Sequence, residues 1–420
     1  MNPLKERLAL LRRQSGAEGP PASAAAGAEP RGATLSLAER LQRLRGAEPP
    51  LRPRRARVSD AEVAALLKGE CIAEGLILVE ERYPLSFRHG SSPLSQLHGA
   101  PLAVLCEDGS APAPEELIFM DTETSGLAGG TGTLAFLLGL GRIAGDALVV
   151  RQFFLTGFGG ERALLQAARE WLPEGGWLVS FNGKCFDAPL LAARYRLTAL
   201  EDPFAALPHI DLLYPTRRAF GRSWTDCRLQ TAERRLLAFA RSGDIPGWEV
   251  PECWFEFVRA GVTERLPAIL EHNRWDLVSL AALLPLLAHL HAMPDQTDAD
   301  VLAIARSRLR QGDEAAAFGQ LRGQAHRLGE AGLLELARLH WRRGEWSEAV
   351  ALWERLAARG SVAALEHLAK YHEHVRRDYV QALACTRRLI ARDGGDPRHR
   401  HRERRLLTRL GGREELFRDV

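Results

Sequence analysis

Apolar runs and polar breaks alternate along most of the chain, but not at its start. Two short amphipathic pieces, Leu4–Arg13 and Leu35–Arg45, bracket an Ala/Gly/Pro/Ser stretch from Ser15 to Gly32, and a Pro/Arg linker over 49–57 follows. Such composition cannot bury enough apolar surface to fold, so residues 1–57 are expected to be a basic, solvated region. Over 58–113 the pattern predicts a small accessory α/β segment, a short helix and then strands, with Cys71–Val79 the clearest strand and no catalytic signature. The run Leu117-Ile-Phe-Met is wholly apolar, and Leu134–Gly141 and Ala147–Leu155 follow it, which predicts three antiparallel strands in a meander. A helix over Glu161–Trp171, a strand over Trp177–Phe181, a strand at His209–Asp211 and helices over 226–239 and 264–290 complete the pattern. The prediction for 114–292 is therefore an α/β domain, a mixed sheet of about five strands flanked by helices.

After the linker Met293–Asp298 the pattern changes. Segments beginning at Ala305, Ala337 and Ala369 resemble one another at intervals of about 32 residues, close to the tetratricopeptide period of roughly 34. An all-α, tetratricopeptide-like domain is expected over 293–420. Its stacked helix pairs either offer a concave surface to a protein partner or simply scaffold the rest. The run Arg398–Arg405 is basic, with a solvated helix face as its default reading.

Composition narrows the class. The 420 residues are enough for two or three domains, and the formal net charge is only +3. Its distribution is uneven, with 12 Arg or Lys against 5 Asp or Glu in residues 1–58. A basic arm of this kind can track phosphates. The six cysteines show no Cys-x-x-Cys or zinc-type spacing, which points to a reducing cytoplasm. The start, Met-Asn-Pro-Leu-Lys-Glu-Arg, does not read as a secretory signal. The most apolar window, Leu277–Leu290, contains Pro285 and His289 and is short for a bilayer, so no membrane association is expected.

The candidate chemistry lies in three local frames. Asp121 and Glu123 close the first apolar strand and, two apart, leave the same face. Asp187 ends Asn182-Gly-Lys-Cys-Phe-Asp187; alone it reads as a helix N-cap ahead of Pro189. His272 and Asp276 are four apart on a helix whose core side carries Leu270, Leu277, Leu280 and Leu284. Four carboxylates in one place can gather two divalent metals around a phosphodiester. The turn Gly126–Gly132 lacks both the P-loop Lys-Ser/Thr and a dinucleotide fingerprint, so it reads first as a structural turn. Lys184 can meet a phosphate or simply be solvated. Arg217, Arg218 and Arg222, with Tyr214 and Trp224, form a basic–aromatic stretch suited to single strands, or else a helix edge with packed aromatics. Asp211 reads as a strand-end residue.

Asp-x-Glu, then Asn-x-x-x-Phe-Asp, then His272-Asn-Arg-Trp-Asp276 resembles the three motifs of the DEDD (DnaQ-like) 3′–5′ exonuclease superfamily, and the fuller wording looks like the YprB-type ribonuclease H-like proteins. The resemblance covers about residues 114–290. It implies an RNase H-like fold and a 3′–5′ exonuclease on single-stranded DNA or RNA. It also implies two Mg²⁺ or Mn²⁺ ions held by Asp121, Glu123, Asp187 and Asp276, with Asn182 and Lys184 near the nucleic acid. His272 has the spacing of the Tyr found in some of these exonucleases and the chemistry of the His found in others, and is expected to orient or deprotonate the attacking water. Two other readings stand beside this one: a non-catalytic nucleic-acid-binding adaptor working through its repeats, and a structure-selective endonuclease with the same metal site.

Overall fold

A computed structural model describes residues 58–126, 132–173, 175–294, 298–392, 394 and 396–416, with side chains as far as residue 411; the expected basic region over 1–57 and the centre of the glycine turn lie outside them. The chain divides into two units, Met1–Ala292 and Met293–Val420.

The described part of the first unit opens with helix α1 (Asp60–Leu67), strands β1 (Glu70–Ala73) and β2 (Leu76–Pro84), and a small hairpin, β3 (Arg88–His89) with β4 (Ser92–Pro93). The meander follows as β5 (Leu117–Thr124), β6 (Ala135–Ala144) and β7 (Ala147–Leu155). Then come α2 (Glu161–Trp171), β8 (Trp177–Ser180), α3 (Asp187–Leu197), β9 (His209–Asp211) and α4 (Leu213–Phe220). Helix α5 (Leu229–Ala232) runs into a π turn (Glu233–Leu237), and α6 (Val250–Ala260) and α7 (Leu266–Ala292) complete the unit.

The sheet has seven strands in the order β1-β2-β7-β6-β5-β8-β9. Five were expected; the excess comes from 58–113, whose β1 and β2 extend the meander because β2 pairs antiparallel with β7 from Leu76↔Leu155 to Pro84↔Ala147. On the other side of β5, β8 and β9 add in parallel. Strand β5 therefore lies inside the sheet with a partner on each edge, and its first four residues are buried. Such fully covered strands read as continuous apolar runs.

Helix α7 is the core helix. With 27 residues it is long and apolar enough, by length and composition, to cross a bilayer, yet it is mostly buried in the fold and packs against β5 and β6. The helix expected over 226–239 is much shorter. It ends after Ala232 in the π turn, which Ala238 closes in the left-handed conformation at φ 50°.

The second unit is helical: α8 (Val301–Arg310), α9 (Glu314–Gly323), α10 (Glu330–Arg342), α11 (Trp346–Ala358), α12 (Val362–Tyr371), α13 (Tyr379–Arg392) and α14 (Pro397–Leu416), each packed on the next. Asp300, Asp313 and Ser361 cap α8, α9 and α12 by accepting from backbone N–H groups at 2.9, 3.0 and 3.1 Å. A second π turn (His372–Arg376) follows α12 and ends on left-handed Arg377. Leu333, Ala337, Trp353, Leu356, Leu365 and Leu368 form part of its core.

Candidate active site

Asp121 and Glu123 sit where β5 leaves the buried core, opposite Gly139 and Leu137 of β6. The glycine at 139 has a reason. A Cβ there would run into the carboxamide of Asn273 on α7. Asn273 is fully buried; its Nδ2 donates to Asp121 Oδ2 at 2.8 Å, and its Oδ1 accepts from Gln152 Nε2 at 2.8 Å. The helix thus fixes the first carboxylate of the site through one amide.

Asp187 is the first residue of α3 and does not cap it; the N-cap position is Phe186, without a side-chain cap. Its carboxylate instead accepts from the Thr122 hydroxyl on β5. The turn before it is set by Asp211, which is buried and accepts from the backbone N–H of Asn182 at 2.7 Å, Leu213 at 3.0 Å and Lys184 at 3.1 Å. Asn182 itself adopts φ 72°, a conformation asparagine tolerates better than most residues.

One turn of α7 brings His272 and Asp276 to the same place. His272 Nε2 lies 3.8 Å from Glu123 Oε1 and 3.7 Å from Asp276 Oδ2. Ligand atoms of Glu123, His272 and Asp276 all lie within 4.8 Å of one another, close enough to share one metal ion. The other imidazole nitrogen, Nδ1, donates to Asp244 Oδ1 at 2.8 Å, which turns Nε2 towards the carboxylates.

The electrostatics follow from burial of like charges. Asp121 is raised well above the usual carboxylate range, first by burial and then by Asp276, Glu123 and Asp187. Burial is also the main reason that Glu123 is pushed up to about 8 and Asp187 to about 6. Burial pulls His272 down, but Asp276, Asp244 and Glu123 together outweigh it and raise the imidazole to about 9.

A guanidinium also enters this cluster. Arg241, from the loop after the π turn, bonds Asp276 through Nη2, Glu233 at 2.5 Å through the same nitrogen, and Asp244 at 3.3 Å through Nη1. Its guanidinium is 4% exposed, and the paired carboxylates hold it protonated. A cavity of about 390 Å³ opens beside it, lined in part by Gln230, Arg234, Phe239 and Asp244.

The structure thus brings together Asp121, Glu123, Asp187, His272 and Asp276 from β5, α3 and α7. The basic–aromatic stretch is arranged differently. Trp224 is only 8% exposed and stacks on Phe220 at 4.1 Å, with the Arg235 guanidinium over its ring, so the packed-aromatic alternative describes it and a base-stacking role does not. Arg217 and Arg218 lie half-buried in the last turn of α4. Lys184 Nζ lies 3.8 Å from Glu107. Asn273, Asp244 and Arg241 join the site without a motif of their own in the sequence. Gly139 and Gln152 inside apolar strands were a signal for Asn273, because a missing side chain and a buried amide both need something polar opposite.

A family model described as the RNase_H superfamily matches residues 118–288. The chain is similar to "Uncharacterized protein YprB" of Bacillus subtilis (strain 168), with 32% identity over 338 residues, covering 76% of this chain and 81% of that protein. Among solved structures, a family B DNA polymerase from the hyperthermophilic archaeon Pyrobaculum calidifontis matches at 15% identity and a TM-score of 0.34 over 67% of this chain; the chain spans only 35% of the polymerase's length.

Proposed function

The chain belongs to the YprB-type group of the RNase H superfamily, whose fold supports a nuclease-type function, and from that premise we propose that it is a metal-dependent 3′–5′ exonuclease acting on single-stranded DNA or RNA. The observation that carries this reading is the uncompensated charge of the pocket. Asp121, Glu123, Asp187 and Asp276 converge in a largely buried space where, among the described residues, the cations Arg241 and His272 are each already shared by several carboxylates. Buried like charges persist when something positive is bound between them.

The donor set fits hard divalent cations, since it is mainly carboxylate oxygen with one imidazole. Two Mg²⁺ or Mn²⁺ ions, which Asp121, Glu123, Asp187 and Asp276 would hold, would supply an activated water and stabilise the departing 3′ oxygen. Asn273 keeps Asp121 in one rotamer, and Thr122 does the same for Asp187. Asp244 accepts from Nδ1 of His272, so Nε2 faces the carboxylates, and the imidazole, raised to about 9, would donate from Nε2 to orient the attacking water.

The test is cleavage of 5′-labelled single-stranded DNA and RNA oligonucleotides with Mg²⁺, with Mn²⁺ and with EDTA, beside Asp121→Asn. A metal-dependent ladder shortening from the 3′ end and absent in the variant is expected. Cleavage that survives in Asp121→Asn protein, or no cleavage with either metal, refutes the assignment.

A further inference from the structure

The accessory segment before β5, which carries no catalytic signature, is wired to the acidic pocket. His89, at the end of β3, is 1% exposed, and its Nε2 lies 2.7 Å from Ser279 Oγ on α7. Ser279 Oγ donates to Glu233 Oε1 at 2.5 Å, so it must accept from His89. Glu233 in turn takes both Nε (3.0 Å) and Nη2 (2.5 Å) of Arg241, and the same guanidinium reaches Asp276 and Asp244. Every link is buried or nearly so, and the single Ser279 hydroxyl proton gives the chain one direction: His89 to Ser279 to Glu233, with Arg241 closing on the same carboxylate.

The hairpin's docking is equally specific. Ser91 N–H donates to Leu237 O at 2.6 Å, the last residue of the π turn. Gly90, at φ +59°, lies so close that a Cβ would strike the same carbonyl. The His89 ring packs against Phe239 (4.0 Å) and Trp275 (5.5 Å), the neighbour of Asp276. Thus the hairpin holds the π turn, the π turn presents Glu233, and Glu233 aims the arginine. A π turn is a costly way to continue a helix and recurs at functional sites.

We propose that Arg241 is a positioning residue for the metal-binding carboxylate Asp276, and that His89, Ser279 and Glu233 set its place. It engages Oδ1 of Asp276 and leaves Oδ2 directed at His272 and Glu123. Through Nη1 it also steadies Asp244, the partner of His272. The β3–β4 hairpin is then a working part of the nuclease site. The proposal rests on the nuclease reading above.

Its test pairs two measurements on the full chain: kcat and KM on a single-stranded oligonucleotide, and the EPR spectrum and affinity of bound Mn²⁺. Arg241→Met should lower kcat about 10-fold or more, the usual cost of losing an outer-shell partner. KM should stay unchanged, and Mn²⁺ should bind as tightly or more tightly because a positive charge has gone. A variant that is merely unfolded loses both together. Arg241→Lys should recover part of kcat. Ser279→Ala, which touches no metal ligand and is a gentle change, should lower kcat several-fold and alter the zero-field splitting of bound Mn²⁺. Wild-type kcat and an unaltered spectrum in both Ser279→Ala and Glu233→Gln would overturn the proposal. If the wild-type protein cuts no nucleic acid, the nuclease reading fails by itself, and the Mn²⁺ spectra of the same variants still decide this one.

Discussion

Among the described residues each unit contains one π turn with a buried glutamate, and the two are handled in opposite ways. Glu373, in the helical unit, is fully buried and surrounded by Arg405 at 2.6 Å, Arg402 at 3.4 Å and Arg409 at 3.8 Å. Glu233, in the RNase H-like unit, has Arg241, and that arginine is divided among Glu233, Asp244 and Asp276. Around Glu373 positive charge is in excess and the carboxylate is enclosed by its arginines. Around Glu233 and the acidic pocket beside it, carboxylates outnumber cations among the described residues. The same backbone device therefore serves a structural clasp in one unit and borders an acidic pocket in the other, and local charge balance tells them apart.

The largest expected effect comes from removing one charge of the excess. Asp121→Asn should lower turnover by about a thousandfold, since the metal contribution is worth several kcal/mol. The same variant should raise the melting temperature of the protein in EDTA, because the carboxylate it removes is destabilised first by burial and then by its acidic neighbours. An Asp121→Asn protein that is both inactive and less stable by calorimetry would break the comparison.

Next in size is Glu373→Gln, whose sign should be reversed. Losing the one carboxylate among three arginines should cost about 3 kcal/mol in urea unfolding of the helical unit. A neutral result would mean that the clasp is as unbalanced as the site.

A smaller effect should appear with pH. Glu123 (about 8) and Asp187 (about 6) stand above their unfolded values of roughly 4.3 and 3.9. The folded protein therefore holds these protons longer than the unfolded chain, and its stability falls as pH rises through that interval. His272, raised to about 9, contributes fully below its unfolded value of roughly 6.5 and loses that contribution as pH rises towards 9, in the same direction. In EDTA the melting temperature should thus decline between pH 5 and pH 9, by about 2–4 °C per kcal/mol lost, and saturating Mn²⁺ should flatten the decline. A flat profile in EDTA would show that the acids are not crowded.

The smallest expected effect is none. Trp224→Phe should leave single-strand affinity, measured by fluorescence anisotropy, within about twofold, because each base stacked on an exposed aromatic is worth about 1–3 kcal/mol and this ring is covered. A clear loss would restore the stacking role.

The acidic residues were legible because their signals are local. Asp121 and Glu123 close an apolar run, and His272 and Asp276 stand one helical turn apart, so a strand or a helix by itself brings each pair to one face. Arg241 was not legible. Its loop has no periodicity, and its partner Asp276 is 35 residues away. Nor was the sheet's full width. That β2 would join β7, so that Arg151 meets Glu80 at 2.7 Å across 71 residues, is a choice of long-range pairing that strand patterns leave open. Asp187 was recognised for its position but not for its bond, since the cap reading considered only its own helix, and its partner Thr122 lies on β5.

The amide bond between Asn273 and Asp121 joins residues 152 apart in the chain. During synthesis, β5 therefore emerges long before α7, and a nascent chain holds its first two carboxylates with no third motif to complete them. The site comes into being only when almost the whole first unit has been made and has closed on itself. Late completion is thus a safeguard in time: the unfinished chain carries its acids without the pocket that gathers them.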